Sequence, residues 1–208
     1  MAASVSDRDE TVFNPRAERS KAALIETMTE ALDAYEPGDS LSIAEIARAA
    51  GVSRPTLYQH FGGLSNLMRA AAMVRLVALF ETVPPPEVDG TTPSVSATVL
   101  RALLRELERR RGFYLAVLDS TAGREVRKDV IEFLASRIVD VTALGPAIED
   151  VESTAEDVNE HAMFLAAGAL WRTERWLRDE DAESAEQLAM RLTHILAAAV
   201  GLPEAEPY

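Results

Sequence analysis

A chain of 208 residues, 48% hydrophobic and 26% charged, has ordinary globular usage and enough length to bury a stable core. It contains no cysteine, which excludes disulfides and thiolate metal sites. The net charge of −13 argues at first against nucleic acid as a partner, but the charge is unevenly spread: residues 40–75 carry four Arg against one Glu, whereas residues 76–208 carry thirteen basic and twenty-four acidic groups. An acidic body repels phosphate and so helps to turn the one positive block towards it.

In chain order, helical periodicity dominates and strand alternation is scarce. Asn14-Pro15 reads as an N-cap followed by proline in the first turn, and Ala22, Ile25, Met28, Leu32 and Tyr35 continue at helical spacing until Pro37-Gly38. Ser42 with Glu45 suggests a capping box opening a short helix to about Ala50. Ser53 can cap the next helix, with Pro55 in its first turn, and a longer helix is expected from about Leu64 to Val83. "PPPEVDGTTP" is the clearest loop. Helical spacing resumes near Ser94, and Arg109-Arg110-Arg111-Gly112 reads as a helix C-terminus, where cations meet the negative end of the dipole and glycine permits the exit. Two helices are expected at about Phe113–Ser120 and Arg124–Ala143, the second closed by Gly145-Pro146. Another follows a capping-box candidate at Ser153 and Glu156, and the last spans about Ala185–Val200. The fold expected is all-α, with about nine helices.

The segment "SIAEIARAAGVSRPTLYQHF" carries the most information. Two helices joined by Gly51-Val52-Ser53 must cross steeply, so Ala47 and Gly51 suit the crossing, and Ile43, Ile46, Val52 and Leu57 supply its apolar seam. That leaves Arg54, Thr56, Tyr58, Gln59 and His60 on a helix of about two turns with no core to fill. A helix-turn-helix uses such a row: its second helix lies in the DNA major groove, where Arg, Gln and Thr reach base edges and Tyr, Ser and His reach phosphate or bases. A purely structural helical hairpin is the plainer alternative.

The same residues resemble the tetracycline-repressor (TetR) family, whose pattern is matched by "IARAAGVS", then "TLYQHF", then Leu67. The resemblance covers about residues 20–70. It implies a homodimer with an N-terminal DNA-binding head and a C-terminal helical body that holds a small-molecule effector, whose binding pulls the two heads out of register with a palindromic operator. Carried over by position, and with Ser42 at the start of the preceding helix, the DNA-binding set is Ser42, Ser53, Arg54, Pro55, Thr56, Tyr58, Gln59 and His60. The family's phosphate-binding Lys, three residues after the Phe, is replaced here by Leu64, with Ser65, Asn66 or helix N–H groups as partial substitutes. The expected organisation is an arm over 1–12, a DNA-binding domain over 13–62, a regulatory and dimerisation domain over 63–202 and a tail over 203–208. A repressor is expected, cytoplasmic and nucleoid-associated when DNA-bound. The N-terminus has no secretory pattern, and "AAAMVRLVALF" is too short for a bilayer and contains Arg75.

In the body, "AMFLAAGALW" is apolar all round, which suits a helix with one face on its own core and the other on a second subunit. The resemblance places the dimer interface on the last two helices, so Leu165, Ala169, Trp176, Leu188, Leu192, Ile195 and Ala199 are expected there. Phe80, Phe113, Tyr114, Phe133, Met163, Phe164 and Trp171 are candidates for lining an effector pocket, adaptable and apolar, although ordinary core is the plainer reading of each. No cofactor or metal site is expected: His60, His161 and His194 are far apart and in no ligand or nucleophile motif. An enzyme and a helical protein-binding module that retains a helix-turn-helix as scaffold are the competing classes.

Overall fold

The computed structural model describes residues 14–36, 38–82, 93–142 and 144–202. The arm expected over 1–12, the tail over 203–208 and the Pro-rich loop over 84–92 lie outside these residues. Among the described residues there are ten helices and no strand, so the fold is all-α.

Asn14 caps α1 (Pro15–Asp33) by accepting the N–H groups of Arg16 at 3.1 Å and Ala17 at 3.3 Å. Leu24, Met28 and Leu32, one helical turn apart, are its buried stripe. α2 (Ile43–Ala49) and α3 (Arg54–Phe61) follow, then the long α4 (Leu64–Thr82). The body comprises α5 (Pro93–Arg109), α6 (Arg111–Asp119), α7 (Gly123–Val141), α8 (Leu144–Glu149), α9 (Ala155–Arg178) and α10 (Ala185–Ala199). α5 packs along α10, α7 along α9, and α1 along α4.

One buried cluster runs from the α1–α3 bundle through Leu67, Met68 and Ala71 of α4 to Phe113, Val117, Trp176, Leu188 and Leu192 of the body. A second, holding Ala135, Ile138, Ile148, Leu165, Ala166 and Leu196, fills the far end of the body.

Local chemistry moves several expected boundaries. Arg109 does end α5, but Gly112 lies inside α6, because the chain bends at Arg110, whose guanidinium bonds Glu106 at 3.0 Å and Asp33 at 2.8 Å, and then restarts a helix at once. Gly145-Pro146 does not close the body's long helix but sits in α8, where Gly145 is buried and a side chain would strike the Val139 carbonyl. The cap of α9 is Thr154, accepting the Asp157 N–H at 3.1 Å, rather than Ser153; the sequence offers the same spacing in both registers. Ser42 caps through the Ala44 N–H at 3.2 Å without a reciprocal bond from Glu45, whereas Ser184 and Gln187 form a full capping box on α10.

Candidate nucleic-acid interface and effector region

The α2–α3 joint is a compact helix exit. Gly51 takes the left-handed conformation, with φ of 67°, its N–H bonds the Arg48 carbonyl at 3.1 Å, and the Val52 N–H reaches back to Ala47 at 2.9 Å. This closes the last carbonyls of α2 and lets Ser53 start α3 immediately. The Ser53 hydroxyl accepts the Thr56 N–H at 3.2 Å and pairs with the Thr56 hydroxyl at 2.8 Å. Both hydroxyls therefore help to build the start of the helix.

Leu57 and Phe61, four residues apart, are buried and fix how α3 rotates. The opposite face is open: Arg54, Pro55 and Gln59 are exposed, and Tyr58 keeps 52% of its surface. His60 is half-buried, its ring tilted against Phe61 at 6.3 Å between centroids. Ser42 is half-buried and occupied in capping. The structure thus puts Arg54, Pro55, Tyr58 and Gln59 on one exposed strip and sets Ser42, Thr56 and His60 further in.

Electrostatics sharpen that picture. Of the four arginines in the positive block, Arg69 pairs with Asp129 and Arg75 with Asp33, so two act within the fold. Arg48 and Arg54 are exposed and, among the described residues, form no ion pair; the same holds for Arg16 and Lys21 on α1. The head therefore presents free cations, whereas most body cations are matched: Arg127 with Glu174, Arg172 and Arg191 with Glu183, and Arg178 with Asp119. Arg178 holds the Asp119 carboxyl below its ordinary range.

The candidate residues of the body separate into different environments. Leu165, Trp176, Leu188 and Leu192 are buried in their own chain, so they offer no surface to a partner; the Trp176 indole also donates to the Glu183 carbonyl at 2.6 Å. The open apolar positions on the last two helices are Phe164 and Trp171, at 76% and 59% exposure, with Met190 and Ile195 of α10. Phe164 and Trp171 were expected to line a pocket; they point out of the body. The sequence shows α9 to be apolar all round but not its rotation, and that rotation is set by Ala162, Leu165 and Ala166 facing the second core cluster. Ala169 is half-buried and Ala199 exposed. Of the remaining pocket candidates, Phe113 and Tyr114 are buried in the first cluster and Met163 packs on the second. Phe80 and Phe133 do meet, edge to face with centroids 4.9 Å apart, across the contact of α4 with α7.

Among the described residues no group of three or more His, Asp or Glu could hold a metal ion, and no single helix is long and apolar enough to cross a membrane. His161 bonds Glu152 at 2.9 Å.

Residues 37–71 match the family model described as bacterial regulatory proteins, tetR family. Over those residues the head matches the TetR family. Solved structures share the fold over most of the chain. A tetR-family transcriptional regulator from Streptomyces coelicolor superposes with a TM-score of 0.59 at 22% identity, covering 86% of this chain and 81% of that one. Thermus thermophilus FadR, a TetR-family repressor in complex with lauroyl-CoA, gives 0.64 at 17% identity, covering 90% and 98%. The dihydroxyacetone kinase operon activator DhaS gives 0.55 at 16%, covering 89% and 98%. No curated protein sequence matches.

This TetR-like head has one local peculiarity. With Leu64 where a phosphate-binding Lys was looked for, Ser65 and Asn66 were candidates to replace it. Both hydrogen-bond within the chain at its surface: Asn66 donates to the Phe61 carbonyl at 2.8 Å, and the Ser65 and Thr121 hydroxyls lie 2.6 Å apart.

Proposed function

We propose that the protein is a sequence-specific DNA-binding transcriptional regulator: a dimeric, effector-responsive repressor of a palindromic operator. The observation that carries this is the exposed strip Arg54, Pro55, Tyr58 and Gln59 on a short, doubly capped helix, flanked by unpaired cations in a chain of net charge −13. Arg54 and Gln59 have the reach and donors for base edges, and Tyr58 suits phosphate. Ser53, Pro55 and Thr56 set the start of the helix, and His60 braces its end.

One such head offers few polar contacts, so two are needed. The open apolar row Phe164, Trp171, Met190 and Ile195 supports a second copy of the chain as its cover, with Ala169 and Ala199 allowing close approach. A two-fold dimer repeats that surface on both subunits and presents two α3 helices to half-sites about 34–36 Å apart or a multiple of it. In this reading residues 13–62 are the DNA-binding part and residues 63–202 the regulatory and dimerisation part. Effector response would act by changing the spacing of the heads, and DNA and effector must weaken each other by the same factor.

Selecting duplexes from a random pool with the full-length protein, then titrating the winner by fluorescence anisotropy across salt concentrations, tests the proposal. A palindromic consensus and an affinity that falls steeply with salt are expected. The scaffold-only alternative requires no enrichment and no salt-dependent duplex binding.

A further inference from the structure

We infer that Arg137 is the anion-recognition point of the effector site, and that the effector is an amphipathic organic acid: a carboxylate carried on an apolar chain. The inference rests on the effector-responsive reading above and names its ligand class. In a body where arginines are generally matched to carboxylates, Arg137 of α7 has no ion pair among the described residues, and its Nε is buried without a hydrogen-bond partner. Asp140, three residues further along the same helix, is exposed and does not pair with it. Arg137 is only partly buried, but a dehydrated Nε without an acceptor is costly, and the Phe133 ring, 5.5 Å from the central guanidinium carbon, offsets only part of that cost. A chain with 34 carboxylates has no shortage of possible partners. Among the described residues no acceptor meets its Nε, and a ligand carboxylate would supply one.

The surroundings fit the rest of such a molecule. Val126 and Val130 of α7 belong to the first core cluster and Leu134, Ala135 and Ile138 to the second, and Phe133 lies at the changeover. Phe80 and Phe133 pack on each other but belong to neither cluster, and both stay partly exposed, as do Met73 and Leu76 on α4. An apolar seam thus runs between α4 and α7 and ends at a cation. The planar guanidinium fork matches a carboxylate in two-point geometry, and an alkyl or aryl chain covers the seam.

The test is isothermal titration of the full-length protein with octanoate, decanoate and dodecanoate and with the primary alcohols of the same lengths, for wild type, Arg137→Met and Arg137→Lys. At least one carboxylate should bind wild type about tenfold or more tightly than its alcohol, the step expected for a charge-assisted pair. Arg137→Met should abolish that preference and Arg137→Lys retain part of it. Without ligand, Arg137→Met should melt at or above the wild-type temperature, because it removes an unpaired charge. The inference is overturned if no carboxylate outbinds its alcohol, if the preference survives Arg137→Met, or if Arg137→Met lowers the melting temperature while wild type shows no preference. Operator titration separates the two readings. A carboxylate that binds through Arg137 yet leaves operator affinity unchanged removes effector control and keeps the site; operator release that is indifferent to Arg137 removes the site and keeps effector control.

Discussion

Asp33→Asn tests how firmly the head is joined to the body. The Asp33 carboxylate, at the end of α1, accepts from Arg75 of α4 at 2.6 and 2.7 Å and from Arg110 at the α5–α6 bend at 2.8 Å. The side chains keep 29% exposure for Asp33, 14% for Arg75 and 39% for Arg110, between surface and interior. An exposed pair is worth about 1 kcal/mol or less, and breaking a fully buried one costs about 3–5 kcal/mol, so this three-bond junction should lose about 2 kcal/mol. Arg75 cannot easily find another acceptor, since its guanidinium is held 4.0 Å over the Phe113 ring. In a chain of this size that loss corresponds to about 4–8 °C in melting temperature. The bonds from Arg75, and then from Arg110, hold the Asp33 carboxyl below its ordinary value of 3.8. A depressed carboxyl stabilises the fold above its unfolded value and loses that contribution as pH falls through the folded one. The gap between wild type and Asp33→Asn should therefore be flat from neutrality to about pH 4 and close below it. Melting curves followed by circular dichroism at several pH values decide the matter. A gap under about 1 °C at pH 7, or one unchanged well below pH 4, would refute the reasoning.

Arg54→Ala should cost about 1–3 kcal/mol on the selected operator and flatten its sequence preference, whereas Arg48→Ala should weaken all duplexes alike and reduce the salt slope by about one; anisotropy titrations distinguish them. Phe164→Glu and Trp171→Glu should yield folded monomers in sedimentation, because a carboxylate placed on the covered face goes unpaired. Leu192→Ala, at a position 3% exposed, should instead cost about 2–5 kcal/mol of stability whatever the oligomeric state.

The head was legible in the sequence because its structure is made locally. Ser53, Pro55 and Gly51 act on residues within one or two turns, and the spacing of Leu57 and Phe61 alone decides which side of α3 faces out. The body was legible as helices but not as faces. "AMFLAAGALW" shows no polar stripe by which to orient it, so the buried Leu165 and the exposed Phe164 look alike until α7 is packed against one side. Charge was misleading for a similar reason. Arg69 and Arg75 count as positive in the sequence, yet their partners are Asp129 and Asp33, distant along the chain. Arg137 stands in an ordinary amphipathic pattern, and its buried Nε without an acceptor is visible only in the structure.

The ties along α4 bear on how body and head could be linked. The helix starts beside α3, is fastened at Ser65 to Thr121 and at Arg69 to Asp129, and reaches Phe133 only at Phe80. From Arg69 to Phe80 is about 16 Å of helix, at about 1.5 Å per residue, and an α-helix transmits a push along that length with little bending. The two ties, Ser65 to Thr121 and Arg69 to Asp129, would together form the pivot. The Phe80 side is held by ring packing and partly exposed apolar groups, which separate at modest cost; the Leu64 side carries α3. A ligand that spread Phe80 from Phe133 would tilt α4 about the pivot. Asp33–Arg75 lies between pivot and ring, so α1 would move with the helix rather than be left behind. In such a tilt the same carboxylate that stabilises the fold would limit how independently the head moves.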